Sequence, residues 1–286
     1  MAVETKTLFH PEVVRQQLRA FTLPDYVEGA RPRLQHWAEL IETGRGDTFK
    51  ETALLPECIT DIFGQLLGYT GPAGRPTDTF TLSRETHVEV DGQFADAALG
   101  RFNAETKKFV VAVEGKGTRD PLDRPFAGRR MSAVDQAYRY AINLPCDWII
   151  VTSMRETRLY HKGSNQHTYE RFETVRLATD ASLLKRFVFL LGAARVVPEH
   201  GESHLHALLK DSESVGRKLT NEFYALYAGI RQNVFGSLRL TNAAAAPSEI
   251  LRCTQKLLDR VLFCAFCEDR GLLPAEGLDS FGPFSR

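Results

Sequence analysis

The sequence has no hydrophobic run approaching the roughly eighteen residues that a bilayer span requires. Its opening stretch, MAVETKTLFHPEVV, lacks the basic segment followed by an apolar one that marks a signal peptide. Cysteine is scarce and odd in number: Cys58, Cys146, Cys253, Cys264 and Cys267 are scattered through 286 residues. That argues against the disulfide framework of a secreted domain. An excess of charge is missing too, since 36 Lys and Arg stand against 36 Asp and Glu. No global field draws the chain toward nucleic acid, so any such contact must come from a local patch. These absences lead us to expect a soluble, cytoplasmic protein with no membrane partner. No G-x-x-x-x-G-K-[ST] loop occurs, which removes an ATP-driven motor from consideration.

What is present is ordinary globular composition, 43% hydrophobic and 25% charged, in a length that suits one large or two modest domains. Residues 1–45 read as a polar helical extension broken at Pro24 and Pro32. From Phe49 to Gly68, Leu54, Leu55, Ile59, Ile62, Phe63, Leu66 and Leu67 recur at helical spacing, with Pro56 placing the start near Thr52 or kinking the first turn. Three strands are then expected, Phe80 to Val90, Gln93 to Leu99 and Lys108 to Glu114, the first two joined at Asp91-Gly92. A helix over Ser132 to Ile142 follows, with Ser132 as its cap and Asp135 three residues on. The run DWIIVTS is a buried strand, and Arg158 to His161 is read as another. The expected fold is α/β, a mixed sheet flanked by helices over 46–180. After about Asp180 strand signals vanish, and 181–286 reads as all-helical. There Val215, Leu219, Phe223, Leu226, Ile230 and Val234 form one apolar stripe, and Ile250 through Phe266 another that ends at Gly271 and Pro274.

The stretch VVAVEGKGTRDPLDRP raises the functional question. Its first residues are apolar on both faces, as in a covered strand. Yet the strand ends in Glu114 and Lys116, which share a face and are residue types rarely buried without a partner. The preceding strand carries Asp96 in GQFADAALG. If these strands pair, Asp96 and Glu114 converge. Two carboxylates about 4.5 Å apart repel by about 4 kcal/mol at an effective dielectric of about 20. Either one acid shifts its pKa, or a divalent cation relieves the pair. Mg²⁺ suits one or two carboxylates plus waters, and a lysine beside it completes a site able to polarise a phosphate. A salt-bridged strand end is the purely structural alternative.

Asp96 followed by Glu114-x-Lys116 resembles the PD-(D/E)xK nuclease motif, with Ala95 where that family usually has proline. The series ADAALG, AVEGKGTRDPLDRP, AVDQAYRYA and WIIVTSMRETRLYH is similar in order and spacing to the amino-terminal nuclease domain of Type IIG restriction–modification enzymes. The stretch ILRCTQKLLDRVLFCAFCEDRGLLP resembles the helical connector leading to their methyltransferase. The likeness covers roughly residues 45 to 275. It implies a Mg²⁺-dependent endonuclease acting on double-stranded DNA in restriction–modification or phage defence. It implies that Asp96 and Glu114 hold the metal and that Lys116 activates water and offsets phosphate charge. Gln136 matches the glutamine of the family's QxxxY helix, with Tyr140 one turn on, and Glu51 is the acid this fold often supplies from its first helix. Neither a glycine-rich cofactor loop nor an N-P-P-Y motif occurs. The resemblance therefore places methyltransferase and target-recognition domains, with S-adenosylmethionine, downstream, and implies an amino-terminal piece of a longer enzyme or a short relative. A catalytically inactive nuclease fold kept as a DNA-binding or assembly scaffold is the alternative.

Between Gly117 and Met131 the chain carries Arg119, Arg124, Arg129 and Arg130 against Asp120 and Asp123. This net-positive loop is either solvated or contacts DNA phosphates. Cys264-x-x-Cys267 lies in an apolar helical stripe and reads as core rather than zinc, and HGESHLH reads as a polar helix start rather than a histidine metal site.

Overall fold

The computed structural model of the chain describes residues 6–74, 78–88, 93–126, 128–269 and 272. The Asp91-Gly92 turn, residues 89–90 of the first expected strand, and the Gly271 and Pro274 helix stop lie outside them. Two compact units form, 1–214 and 215–286.

The first unit is built on a six-stranded mixed sheet. Its strands are β1 (Phe80–Val88), β2 (Gln93–Phe102), β3 (Lys107–Gly115), β4 (Trp148–Thr152), β5 (Glu156–His161) and β6 (Glu170–Glu173), and they lie side by side in chain order. Every neighbouring pair is antiparallel except β3 and β4, which run parallel at the centre. A parallel pair needs a crossover, supplied by helix α4 (Ala133–Asn143). Ser132 caps that helix as expected: its Oγ accepts from Asp135 N at 3.0 Å and donates to Asp135 Oδ2 at 2.7 Å. One face of α4 places Ala137, Tyr140 and Ala141 against Ala112, Ile149, Val151 and Tyr160 of the sheet. All five residues of β4 are buried, as a central strand covered on both faces requires.

Before the sheet come α1 (Pro11–Ala20), α2 (Tyr26–Glu42), a 3₁₀ turn (Arg45–Thr48) and α3 (Glu51–Cys58), which continues as a π-helical stretch over Ile59–Leu66. The helix break expected at Pro32 does not occur, because α2 runs through it. Val27, Ala30, Leu34, Trp37 and Ile41 are buried along α2, and that burial outweighs the one backbone donor that proline removes. Pro56 is likewise inside α3, and the helix widens just beyond it. After the sheet, α5 (Thr174–Thr179), α6 (Ala181–Leu191) and α7 (Ala193–Val196) complete the layer. Strand β6 and the first two residues of β5 were not expected from the sequence.

Helix α8 (His204–Thr241) passes from the first unit into the second, where α9 (Pro247–Asp269) follows. In the second unit Ile250, Thr254, Leu258 and Cys267 are buried, whereas Leu219, Phe223, Leu226 and Ile230 of the expected stripe are 43–64% exposed. Phe263, Phe266 and Leu272 are also exposed. Among the described residues no helix is long and apolar enough to cross a membrane.

Candidate functional site

β2 and β3 pair with Ala98 opposite Ala112 and Ala97 opposite Val113. One further step in that register sets Asp96 beside Glu114 at the carboxyl end of β3. Asp96 Oδ2 accepts a hydrogen bond from Gly115 N at 2.7 Å, which fixes the aspartate across the strand pair. Glu114 is only 1% exposed and Lys116 only 5%. Lys116 Nζ contacts Glu114 Oε1, and the Lys116 backbone N–H donates to Thr152 O of β4 at 2.7 Å. Glu114 Oε2 is buried with no hydrogen-bond partner among the described residues. A buried carboxylate oxygen left unbonded is costly, so such groups point to strain or to an absent ligand.

The glycine between the two charges has a steric cause. A Cβ on Gly115 would lie 2.3 Å from Leu55 Cδ1, so α3 crosses the strand end closely enough that any side chain here would force Leu55 to move. That close approach carries Glu51, the first residue of α3, to the same edge. Glu51 Oε2 accepts from Gly117 N at 3.1 Å and from Arg129 Nη2 at 2.9 Å, and Arg129 also binds Asp120. Three carboxylates therefore gather with two cations, Lys116 and Arg129.

Their electrostatics follow from burial and like charge. Burial first, then the Asp96 carboxylate, pushes Glu114 up to about 8; Lys116 opposes the shift and Glu51 adds to it. Burial also raises Asp96, against the Gly115 N–H, Lys116 and Arg129. Tyr140, raised mainly by burial, also feels Glu114 and Asp96, so α4 presents it to the site. Gln136 Nε2 is hydrogen-bonded to the Tyr140 hydroxyl one turn away. The fold thus brings together Asp96, Glu114, Lys116, Glu51, Gln136 and Tyr140.

The loop arginines separate. Arg129 is half-buried and occupied by two carboxylates; Arg119, Arg124 and Arg130 are exposed. Asp120 and Asp123, read from sequence only as opposing charge, anchor the loop: Asp120 through Arg129, and Asp123 through both Nη atoms of Arg158 at 2.6 and 3.0 Å. Nothing in the local sequence signals these partners, because Arg158 lies 35 residues downstream on β5.

Among the described residues no group of three or more His, Cys, Asp or Glu side chains has the geometry of a metal centre. His200 is exposed, and burial lowers His204 to about 4, which leaves it a neutral core residue. The two-carboxylate pair nonetheless fits Mg²⁺. That ion is bound through one or two carboxylates and retains waters, and Glu114 Oε2 is a donor oxygen with no other engagement. Compared with protein-family models, curated proteins and solved structures, the chain has no match.

Proposed function

We propose that the chain carries a Mg²⁺-dependent endonuclease that hydrolyses phosphodiester bonds of double-stranded DNA. The observation that supports this most is Glu114: buried, beside Asp96, clamped by Lys116 at one oxygen and unbonded at the other. The arrangement resembles the PD-(D/E)xK nucleases. Asp96 and Glu114 would hold the metal, which when bound supplies Lewis-acid polarisation of the phosphoryl oxygen and lowers the pKa of water. Lys116, held against Glu114 and tied to β4, places a fixed positive charge where negative charge develops on the phosphate. Glu51, held by Gly117 N and Arg129, adds negative potential at the same edge, and the Gln136–Tyr140 pair lines the α4 side. Exposed Arg119, Arg124 and Arg130 would contact DNA phosphates, which position the nucleic acid without reading its sequence. In the Type IIG-like reading, site recognition and S-adenosylmethionine-dependent methylation belong to downstream domains of a longer chain.

The test is nicking of supercoiled plasmid with Mg²⁺ and with EDTA. Metal-dependent nicking that disappears in Asp96→Ala and Glu114→Ala supports the reading. DNA binding with no nicking at any divalent concentration would instead favour the scaffold alternative.

A further inference from the structure

Two residues past Lys116 the loop begins to wall a groove of about 780 Å³, distinct from the carboxylate cluster. One side is rigid. Arg155 donates to both Asp47 oxygens at 2.8 and 2.9 Å and to Thr118 O at 2.7 Å, while Thr118 Oγ1 donates to Asp47 Oδ1 at 2.7 Å. Every acid in the lining is met by an arginine: Asp47 by Arg155, Asp120 by Arg129, Glu156 by Arg158 and Arg171, and Glu173 by Arg171. Arg119 and Arg124 line the same groove, are exposed, and make no hydrogen bond or ion pair among the described residues. The lining is balanced at four arginines and four acids, and Arg119 and Arg124 are the two of its arginines that no acid among the described residues clamps. Phe126, half-buried, contributes an aromatic side chain to the same wall.

Paired arginines next to an aromatic ring are the elements that hold single-stranded nucleic acid: cations follow the backbone while bases stack. A depression of this size falls in the range of small-ligand pockets, the scale of one or two nucleotides. We propose that the groove seats one or two nucleotides of an unpaired DNA strand leading away from the cleavage site, with phosphates on Arg119 and Arg124 and a base against Phe126. The choice of DNA as ligand rests on the endonuclease reading; the groove itself does not. An acidic peptide would satisfy the arginines but gain nothing specific from the ring.

Fluorescence polarisation with a labelled oligothymidylate about four nucleotides long, in EDTA so that nothing is cut, tests this on the full chain. Arg119→Ala/Arg124→Ala should weaken binding at least about tenfold and make the log–log salt slope shallower by about 1.4, two phosphate contacts at about 0.7 each. Phe126→Ala should weaken binding roughly tenfold with the slope unmoved. Arg19→Ala, on a remote exposed arginine, should change neither. An unaltered salt slope in the double variant, full affinity in Phe126→Ala, or equal binding of an acidic peptide of similar length would overturn the proposal. Groove-dependent binding by a chain that never nicks plasmid would support the groove and refute the endonuclease reading. Asp96-dependent nicking with oligonucleotide binding unchanged in the double variant would do the reverse.

Discussion

Two glutamates in one sheet, Glu114 on β3 and Glu170 on β6, are almost equally inaccessible, at 1% and 2% exposure. Glu170 is satisfied at both oxygens: Phe9 N donates to Oε1 at 3.2 Å and Arg186 Nη2 to Oε2 at 2.5 Å. Its upward shift comes from burial and is opposed by Arg186 and two backbone N–H groups. Glu114 has one oxygen on Lys116, one on nothing, and two carboxylates, Asp96 and Glu51, pushing it further up. Burial alone therefore does not mark a functional acid. The distinguishing marks are like-charge neighbours and an unused oxygen, because folding gains nothing from either.

That contrast can be broken most sharply through activity. Asp96→Ala and Glu114→Ala should each reduce Mg²⁺-dependent nicking by roughly a thousandfold or more, whereas Glu170→Gln should leave it within about threefold. Lys116→Ala should lose nicking yet keep metal binding by calorimetry. Stability should show the opposite ranking. Glu170→Ala strands the buried end of Arg186 and frees Phe9 N, and should cost about 3 kcal/mol in urea unfolding. Asp96→Asn, which relieves repulsion, should cost far less. A like effect of both substitutions on urea midpoint would mean the two sites do not differ in kind.

The pH dependence sharpens the comparison. Glu114 has a folded pKa raised from 4.5 to about 8, so the folded state holds its proton more tightly than the unfolded chain. Its contribution to stability is fully present below about 4.5 and is lost as pH rises through about 8. Without divalent ions, the melting temperature should fall over that window, and Mg²⁺ should restore it at the alkaline end. Because metal must displace the Glu114 proton, Mg²⁺ affinity should rise by up to about tenfold per pH unit below about 8 and level off above. Asp96→Asn should lower the Glu114 pKa and move that plateau to lower pH, readable by carboxyl NMR titration. The smallest effect is expected at Arg129→Ala. Losing a cation that favours ionised Asp96 should shift the affinity profile upward by less than about one pH unit, since Arg129 is about a third exposed.

Periodicity and capping made much of the fold readable. The central strands, the Ser132 cap and the helical carboxyl-terminal region all follow from local pattern. β6 was missed because ERFE is four residues long and three of them are charged, so its alternation looks like surface loop. Pro32 misled the helix reading, because a proline costs one hydrogen bond whereas α2 buries a whole apolar face; the start expected near Thr52 falls at Glu51. At the site, Asp96, Glu114 and Lys116 were visible as charges out of place on apolar strands. The role of Gly115 was not, since it depends on Leu55 arriving from another layer. Arg129 was expected to face DNA; its bonds to Glu51 and Asp120 depend on how the loop folds back, which spacing does not encode.

A sheet whose strands lie side by side in chain order also has a kinetic consequence. Asp96, Glu114 and Lys116 come together through one hairpin pairing, with Asp96 only 19 residues from Gly115, and Glu51 joins them across 66 residues. By contrast, Phe9 N reaches Glu170 across 161 residues, and Lys6 bridges Thr168 nearby. Contacts of low sequence separation form early and distant ones late. The carboxylate edge should therefore appear before the amino-terminal segment locks onto β6. Shortening that segment should speed unfolding of the finished unit while leaving the rate at which the carboxylate cluster first assembles nearly untouched.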